Sequence, residues 1–162
     1  MSLLGAAEIR ELAEALDLKP SKSLGQNFVH DGNVCRKIVR TAGLTPTDVA
    51  LEIGPGLGSL TLAMLEEAQA VVAVEIDSRL ANQLPITAAK HSDRADILTV
   101  INQDALTLKD LPIDPTVLIA NLPYNVSVPV FLHLLEIFPS LRSGVVMVQA
   151  EVADRLAAKP NS

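Results

Sequence analysis

Four stretches of the 162-residue chain carry residue types suited to chemistry, and each stands at or just after the end of an apolar run. NLPYNVS, residues 121–127, follows VLIA and sets Asn121, Pro123 and the chain's only tyrosine, Tyr124, side by side. An amide oxygen, main-chain carbonyls and a π-face in one place suit a planar exocyclic amine: the acceptors take its N–H groups while the ring stacks on its base. Pro123 has no N–H and restricts Leu122 to extended geometry, which helps hold the carbonyls outward.

The second stretch is LEIGPGLGSLT, residues 51–61. Gly54, Gly56 and Gly58 permit a tight turn and close approach of a ligand, and the helix that follows offers unpaired N–H groups. The spacing is GxGxG and not the GxGxxG of the dinucleotide fingerprint. Glu75, closing the run AVVAVE, lies where a carboxylate can accept both hydroxyls of a ribose. Asp104, in INQDAL, can accept a proton from an adenine amino group. Taken singly, each has a plainer reading as a turn, a solvated strand-end acid or a helix cap. Together they propose an adenosine site at the carboxyl ends of strands, where open α/β sheets bind ligands.

The elements that must position these residues are legible as alternating strand and helix signals. Residues 7–17 read as an amphipathic helix ended by Pro20, and residues 32–42 as a second, with Asp31 as N-cap and Gly43 as its stop. From residue 48 the order is DVALEI, helix 59–68, AVVAVEI, helix 78–90, ADILTVI, TVLIAN, helix 127–137, SGVVMVQ and helix 150–158. The strand runs are continuous rather than alternating, as parallel strands covered on both faces require. The fold class is therefore α/β, a doubly wound, mostly parallel sheet. Residues 1–45 form an N-terminal helical segment and 46–162 the core.

Composition narrows the function further. With 49% apolar and 20% charged residues the chain is globular. No apolar run reaches the roughly 18 residues needed to span a bilayer, and the N-terminus lacks the blocks of a secretory signal, so a cytoplasmic protein is expected. One cysteine and three scattered histidines suggest no metal site. The net charge of −6 argues against a nucleic-acid partner, but residues 18–40 hold five basic side chains against Asp31, a local +4 that leaves −10 for the rest.

GQNFV (25–29), LEIGPGLGSLT, VVAVEID (71–77), INQDAL and NLPYNVS, in this order and spacing, resemble the ribosomal RNA adenine-N6 dimethyltransferases. Within that family, LGQNFV and NLPYN are most like the bacterial small-subunit enzyme linked to kasugamycin sensitivity. The resemblance implies a Rossmann-like fold dependent on S-adenosylmethionine, with S-adenosylhomocysteine as product. It implies as acceptors the N6 amines of two adjacent adenosines in the terminal hairpin loop of small-subunit rRNA, in an immature subunit. By motif, Asn27 and Val29 flank the donor, Gly54 and Gly56 contact it through backbone, Glu75 holds its ribose and Asp104 its adenine. Asn121 lies beside donor and acceptor, with Leu122, Pro123 and Tyr124 completing the catalytic stretch.

Alternatives from other classes are a ribosome-assembly or RNA-binding factor without methyl transfer, an erythromycin-resistance-type large-subunit methylase, and a nicotinamide oxidoreductase. The last gives no role to GQNF or NLPY. The family continues with two more strands and a helical domain where this sequence ends, after its fifth strand and helix. The expectation is a donor-binding fragment with little activity, self-associating through an exposed edge strand, whereas the complete enzyme is expected to be a monomer.

Overall fold

Every strand run named above becomes a strand because its apolar side chains serve two layers at once. The structure is a computed structural model that describes residues 1–18 and 32–147, the side chain of Tyr124 excepted. Five parallel strands, β1 (Val49–Ile53), β2 (Ala70–Glu75), β3 (Leu98–Asn102), β4 (Val117–Asn121) and β5 (Ser143–Met147), form one sheet in the order β3-β2-β1-β4-β5. The chain thus runs outward from β1 in one direction, returns, and continues in the other. The reversal leaves a crevice between the carboxyl ends of β1 and β4, the place where such sheets receive ligands.

Alternate residues of each strand face opposite layers. Ala50, Val71 and Ile119 lie against α1 (Ala6–Ala15), α2 (Gly32–Thr41) and α3 (Ser59–Glu67). Leu51, Val72, Val74 and Leu118 lie against α5 (Tyr124–Ile137) and the 3-10 turn Ala105–Thr107. The remaining helix, α4 (Ser78–His91), links β2 to β3. Residues of the N-terminal segment, including Leu4, Ile9, Cys35 and Val39, are buried in the first of these cores together with α3. No helix among the described residues is long and apolar enough to cross a membrane.

Gly43, at φ +71°, ends α2 as expected. Two boundaries differ from the sequence reading by three residues, the others by at most two. The run at 95–101 opens as a 3-10 turn at Ala95–Ile97 and becomes a strand only at Leu98. The helix expected from 127 begins three residues earlier, because Pro123, at φ −55°, precedes it as N-cap and its carbonyl accepts from the N–H groups of Val126 (3.0 Å) and Ser127 (2.9 Å). The helix expected at 150–158, the end of SGVVMVQ and the Asp31 cap lie outside the described residues.

At the amino ends of the strands, buried Asp48 accepts from Thr45 N and Oγ1 (both 2.8 Å), from Thr116 Oγ1 (2.8 Å), and from the Arg142 guanidinium. One carboxylate thereby joins the starts of β1, β4 and β5. Burial pushes its carboxyl up, but Arg142 and the hydroxyls of Thr116 and Thr45 outweigh that and hold it well below the ordinary range.

Candidate donor and acceptor site

The glycine loop between β1 and α3 turns at three positive φ angles: Gly54 (+73°), Gly56 (+58°) and Gly58 (+103°). Gly54 is the position where a side chain is least tolerable. A Cβ there would lie 2.8 Å from the main-chain oxygen of Asn121 and 2.9 Å from Leu122 Cδ2. Since no real Cβ approaches a carbonyl so closely, the glycine lets the ends of β1 and β4 touch. That contact brings NLP beside the glycine loop.

Glu75 closes β2 on the other side and is only 5% exposed. Its Oε1 accepts from Gly56 N at 3.1 Å and its Oε2 from Asp77 N at 3.1 Å. Burial raises its carboxyl above the ordinary value, and those two N–H groups partly offset the rise. The main chain at this point is pinned from β3: Asn102 Nδ2 donates to the carbonyls of Glu75 (2.8 Å) and Ile76 (3.2 Å), and Gln103 N donates to Glu75 O (3.1 Å).

Asp104 caps the short turn after β3, with Oδ1 accepting from Leu106 N at 3.0 Å. Its other oxygen makes no hydrogen bond among the described residues. Gly54, Glu75, Ile76, Asp104, Leu122 and Val126 line one open cleft of about 350 Å³, counting the part open to solvent. Sequence-derived site residues from β1, β2, β3 and β4 therefore meet in one place. Asn121 adjoins through its contact with Gly54, and Gly56 through Glu75. Pro123 sits at the start of α5 with its carbonyl already engaged by two helix N–H groups, whereas the Leu122 carbonyl accepts no hydrogen bond among the described residues. Asn27, Val29 and the Tyr124 side chain lie outside the described residues.

Two further residues escaped the sequence reading. Ile76 is 68% exposed, an unusual state for a large aliphatic side chain at a strand end, and it lines the cleft together with Glu75 and Asp104. An apolar side chain lining a cleft that also holds two carboxylates suits the face of an aromatic base. Glu52 is 1% exposed on the same sheet face as Glu75; Thr61 Oγ1 donates to its Oε1, and Oε2 has no partner among the described residues. Burial pushes its carboxyl up to about 8; the Thr61 hydroxyl offsets this in part and the nearby Glu75 charge adds to it. The signal was present in the sequence: an acid inside the continuous apolar run VALEI.

The cleft combines a close-approach glycine, the buried Glu75 carboxylate with two N–H partners, and an Asp104 oxygen with no partner among the described residues, a set of groups compatible with an adenosine-bearing ligand. The profile of the family described as ribosomal RNA adenine dimethylase matches residues 18–162. The chain is 63% identical to the ribosomal RNA small subunit methyltransferase A of Corynebacterium diphtheriae, over 99% of this chain and 55% of that protein. It is 61% identical to the protein of that name from Leifsonia xyli, over 100% and 58%. The chain thus spans about half the length of the curated relatives it matches. Among solved structures it is similar to the 23S rRNA methyltransferase ErmE, with a TM-score of 0.67 and 32% identity over 78% of this chain and 50% of that one. A dimethyladenosine transferase from Plasmodium falciparum gives 0.65 and 31%, over 80% and 46%.

Proposed function

The chain belongs to the ribosomal RNA adenine dimethylase family, and from that premise we propose that its cleft binds S-adenosylmethionine and, in the complete enzyme, serves N6-dimethylation of two adjacent adenosines in small-subunit rRNA. The observation that carries this reading is the contact of Gly54 with Asn121, which sets the acceptors of NLP beside the glycine loop and Glu75. When bound, the donor supplies an electrophilic methyl on its sulfonium. Glu75 would accept from the ribose hydroxyls, Asp104 from the adenine amine, and Ile76 would cover the base. Asn27 and Val29 are assigned to the donor by motif alone.

The acceptor chemistry falls to Asn121 and Leu122. An adenine N6 lone pair is delocalised into the ring, so the planar amine is a poor nucleophile. Hydrogen bonds from N6–H to the Asn121 side-chain oxygen and the Leu122 carbonyl favour a pyramidal nitrogen with its lone pair directed at the methyl. With the Pro123 carbonyl engaged in α5, Leu122 is the better second acceptor. Positioning and fixed dipoles then supply most of the catalysis, and Tyr124 is assigned to stacking. No base is required before transfer, because the proton leaves the product ammonium afterwards.

Calorimetry on the purified chain tests the donor half. Saturable binding of S-adenosylhomocysteine without response to NAD supports it, and the reverse pattern overturns it. Labelled methyl transfer to unmethylated small subunits by the complete enzyme tests the acceptor half; RNA binding without transfer would leave an assembly factor. β5 forms one edge of the sheet among the described residues, so the 162-residue chain alone is expected to self-associate in light scattering through that edge.

A further inference from the structure

Arg79, at the first turn of α4, reaches two elements at once. Its Nε and Nη2 donate to the Asp77 carboxylate at 3.3 and 2.9 Å, and its Nη1 donates to the main-chain carbonyls of Leu16 (3.0 Å) and Asp17 (3.3 Å). Those carbonyls end α1. The helix closes with Leu18 N donating to Ala13 O (2.8 Å) and Asp17 N to Glu14 O (3.1 Å), a wrap that puts Asp17 at φ +54°, where glycine is usual. The last turn of α1 holds no basic residue of its own, so the guanidinium from α4 supplies the positive charge that this helix end lacks.

The other branch leads into the cleft. Asp77 caps α4 by accepting from Arg79 N (2.8 Å) and Leu80 N (3.4 Å), and its own N–H donates to Glu75 Oε2. Glu75 Oε1 in turn holds the glycine loop through Gly56 N. A continuous set of hydrogen bonds therefore runs from the end of α1 through Arg79, Asp77 and Glu75 to the glycine loop. A half-exposed Arg–Asp pair alone has little energetic weight. A planar fork gripping a carboxylate with one edge and two carbonyls with another fixes geometry, which a flexible ammonium cannot do.

We propose that Arg79 is a positioning residue: by fixing Asp77 against α1 it sets the Asp77 N–H that aims the Glu75 carboxylate, and so governs recognition of the ribose. This rests on the donor reading of the cleft. The test compares S-adenosylhomocysteine with its 2′-deoxy analogue by calorimetry on the full 162-residue chain. The wild-type chain is expected to prefer the ribose form by about tenfold, the weight of one hydrogen bond to a charged group. In Arg79→Met that preference is expected to fall below about threefold, as the carboxylate loses its aim. Arg79→Lys keeps the charge without the fork and is expected to fall between them. In a Glu75→Gln background Arg79→Met should change the preference no further. Arg36→Met, which removes an exposed ion pair with Glu66 remote from the cleft, should leave it unchanged.

A purely structural role for Arg79 would lower the melting temperature and weaken both ligands equally; that result, or an unchanged preference in both Arg79→Met and Arg79→Lys, overturns the proposal. If Arg79→Met does not fold, the lysine variant decides alone. A wild-type chain that binds neither ligand removes the donor reading and this inference with it, whereas a wild-type preference that survives in the variants removes this inference only.

Discussion

Glu52 makes the stability of this chain depend on pH in a direction opposite to most carboxylates. In the folded chain its carboxyl is pushed up to about 8 against an ordinary value of 4.5, because the side chain is wholly enclosed and only Oε1 has a partner. Between those values the folded chain holds a proton that the unfolded chain has released. The folded state therefore binds more protons, and stability falls as pH rises. The contribution is fully present below 4.5, is lost progressively up to about 8, and changes little beyond. Each pH unit in that window costs about 1.4 kcal/mol. From pH 5 to pH 9 the loss is about 4 kcal/mol, a large part of the roughly 5–15 kcal/mol that holds a domain together.

Replacing Glu52 by Gln removes the titration while keeping the shape. The variant still presents an oxygen to Thr61, and its buried amide leaves N–H donors unpaired, so its stability at any one pH mixes several effects. The change with pH isolates the carboxyl. Urea unfolding of both proteins at unit intervals from pH 5 to 9, with m-values compared to check the denatured state, should show the variant gaining about 4 kcal/mol relative to wild type across the series. Parallel curves would mean that Glu52 ionises at its ordinary value in the folded chain, and would refute the account of its burial.

Four further outcomes follow from the same geometry. Gly54→Ala should cost about 2 kcal/mol or more in unfolding free energy and abolish binding of S-adenosylhomocysteine, because its Cβ would meet the Asn121 carbonyl, which cannot yield as a side-chain tip can; retained affinity would contradict the close contact. Asn121→Ala in the complete enzyme should reduce kcat for methyl transfer far more than RNA affinity, while Tyr124→Phe should be nearly silent and Tyr124→Ala should lose stacking; unchanged turnover removes Asn121 from the chemistry. Affinity for the donor should decline as pH falls through the titration of Glu75, beginning above 4.5 because burial raises that carboxyl; the test is calorimetry against pH, with Glu75→Gln flat. Arg142→Met should destabilise the fold by about 3 kcal/mol, since it strips a buried carboxylate of its cation, and should leave donor affinity per folded molecule unchanged.

The sheet was largely legible because parallel strands enclosed on both faces write themselves as unbroken apolar runs, and each run here is bounded by glycine, proline or an acid. The glycine loop, Glu75, Asp104 and Asn121 were legible for a related reason, since each stands where an apolar run stops. What could not be read was anything that depends on which strands are neighbours. Asn102 pins Glu75 only because β3 lies beside β2, and Arg79 meets Leu16 only because α4 comes back alongside α1. The helix after NLPYN reads from 127 in the sequence because a proline before a helix and a proline in an extended segment satisfy the same φ restriction; the two N–H groups that reach the Pro123 carbonyl show that the helix starts directly after it.

Three buried carboxylates divide this sheet by purpose. Asp48, at the amino ends, accepts from a main-chain N–H, two hydroxyls and a guanidinium, and its titration is driven down. Glu52 and Glu75, at the carboxyl ends, have fewer donors than a carboxylate can take, and both are driven up. If burial alone governed these values all three would rise. The difference lies in how completely the folded chain satisfies each group. At the end that only holds strands together, pairing is complete and adds stability. At the carboxyl ends it is incomplete, and under the proposed function ribose hydroxyls would take up the unused acceptor capacity of Glu75. A chain optimised for stability alone would close both ends in the manner of Asp48; leaving one end underpaired costs folding free energy, and under the proposed function that capacity would be reserved for the donor.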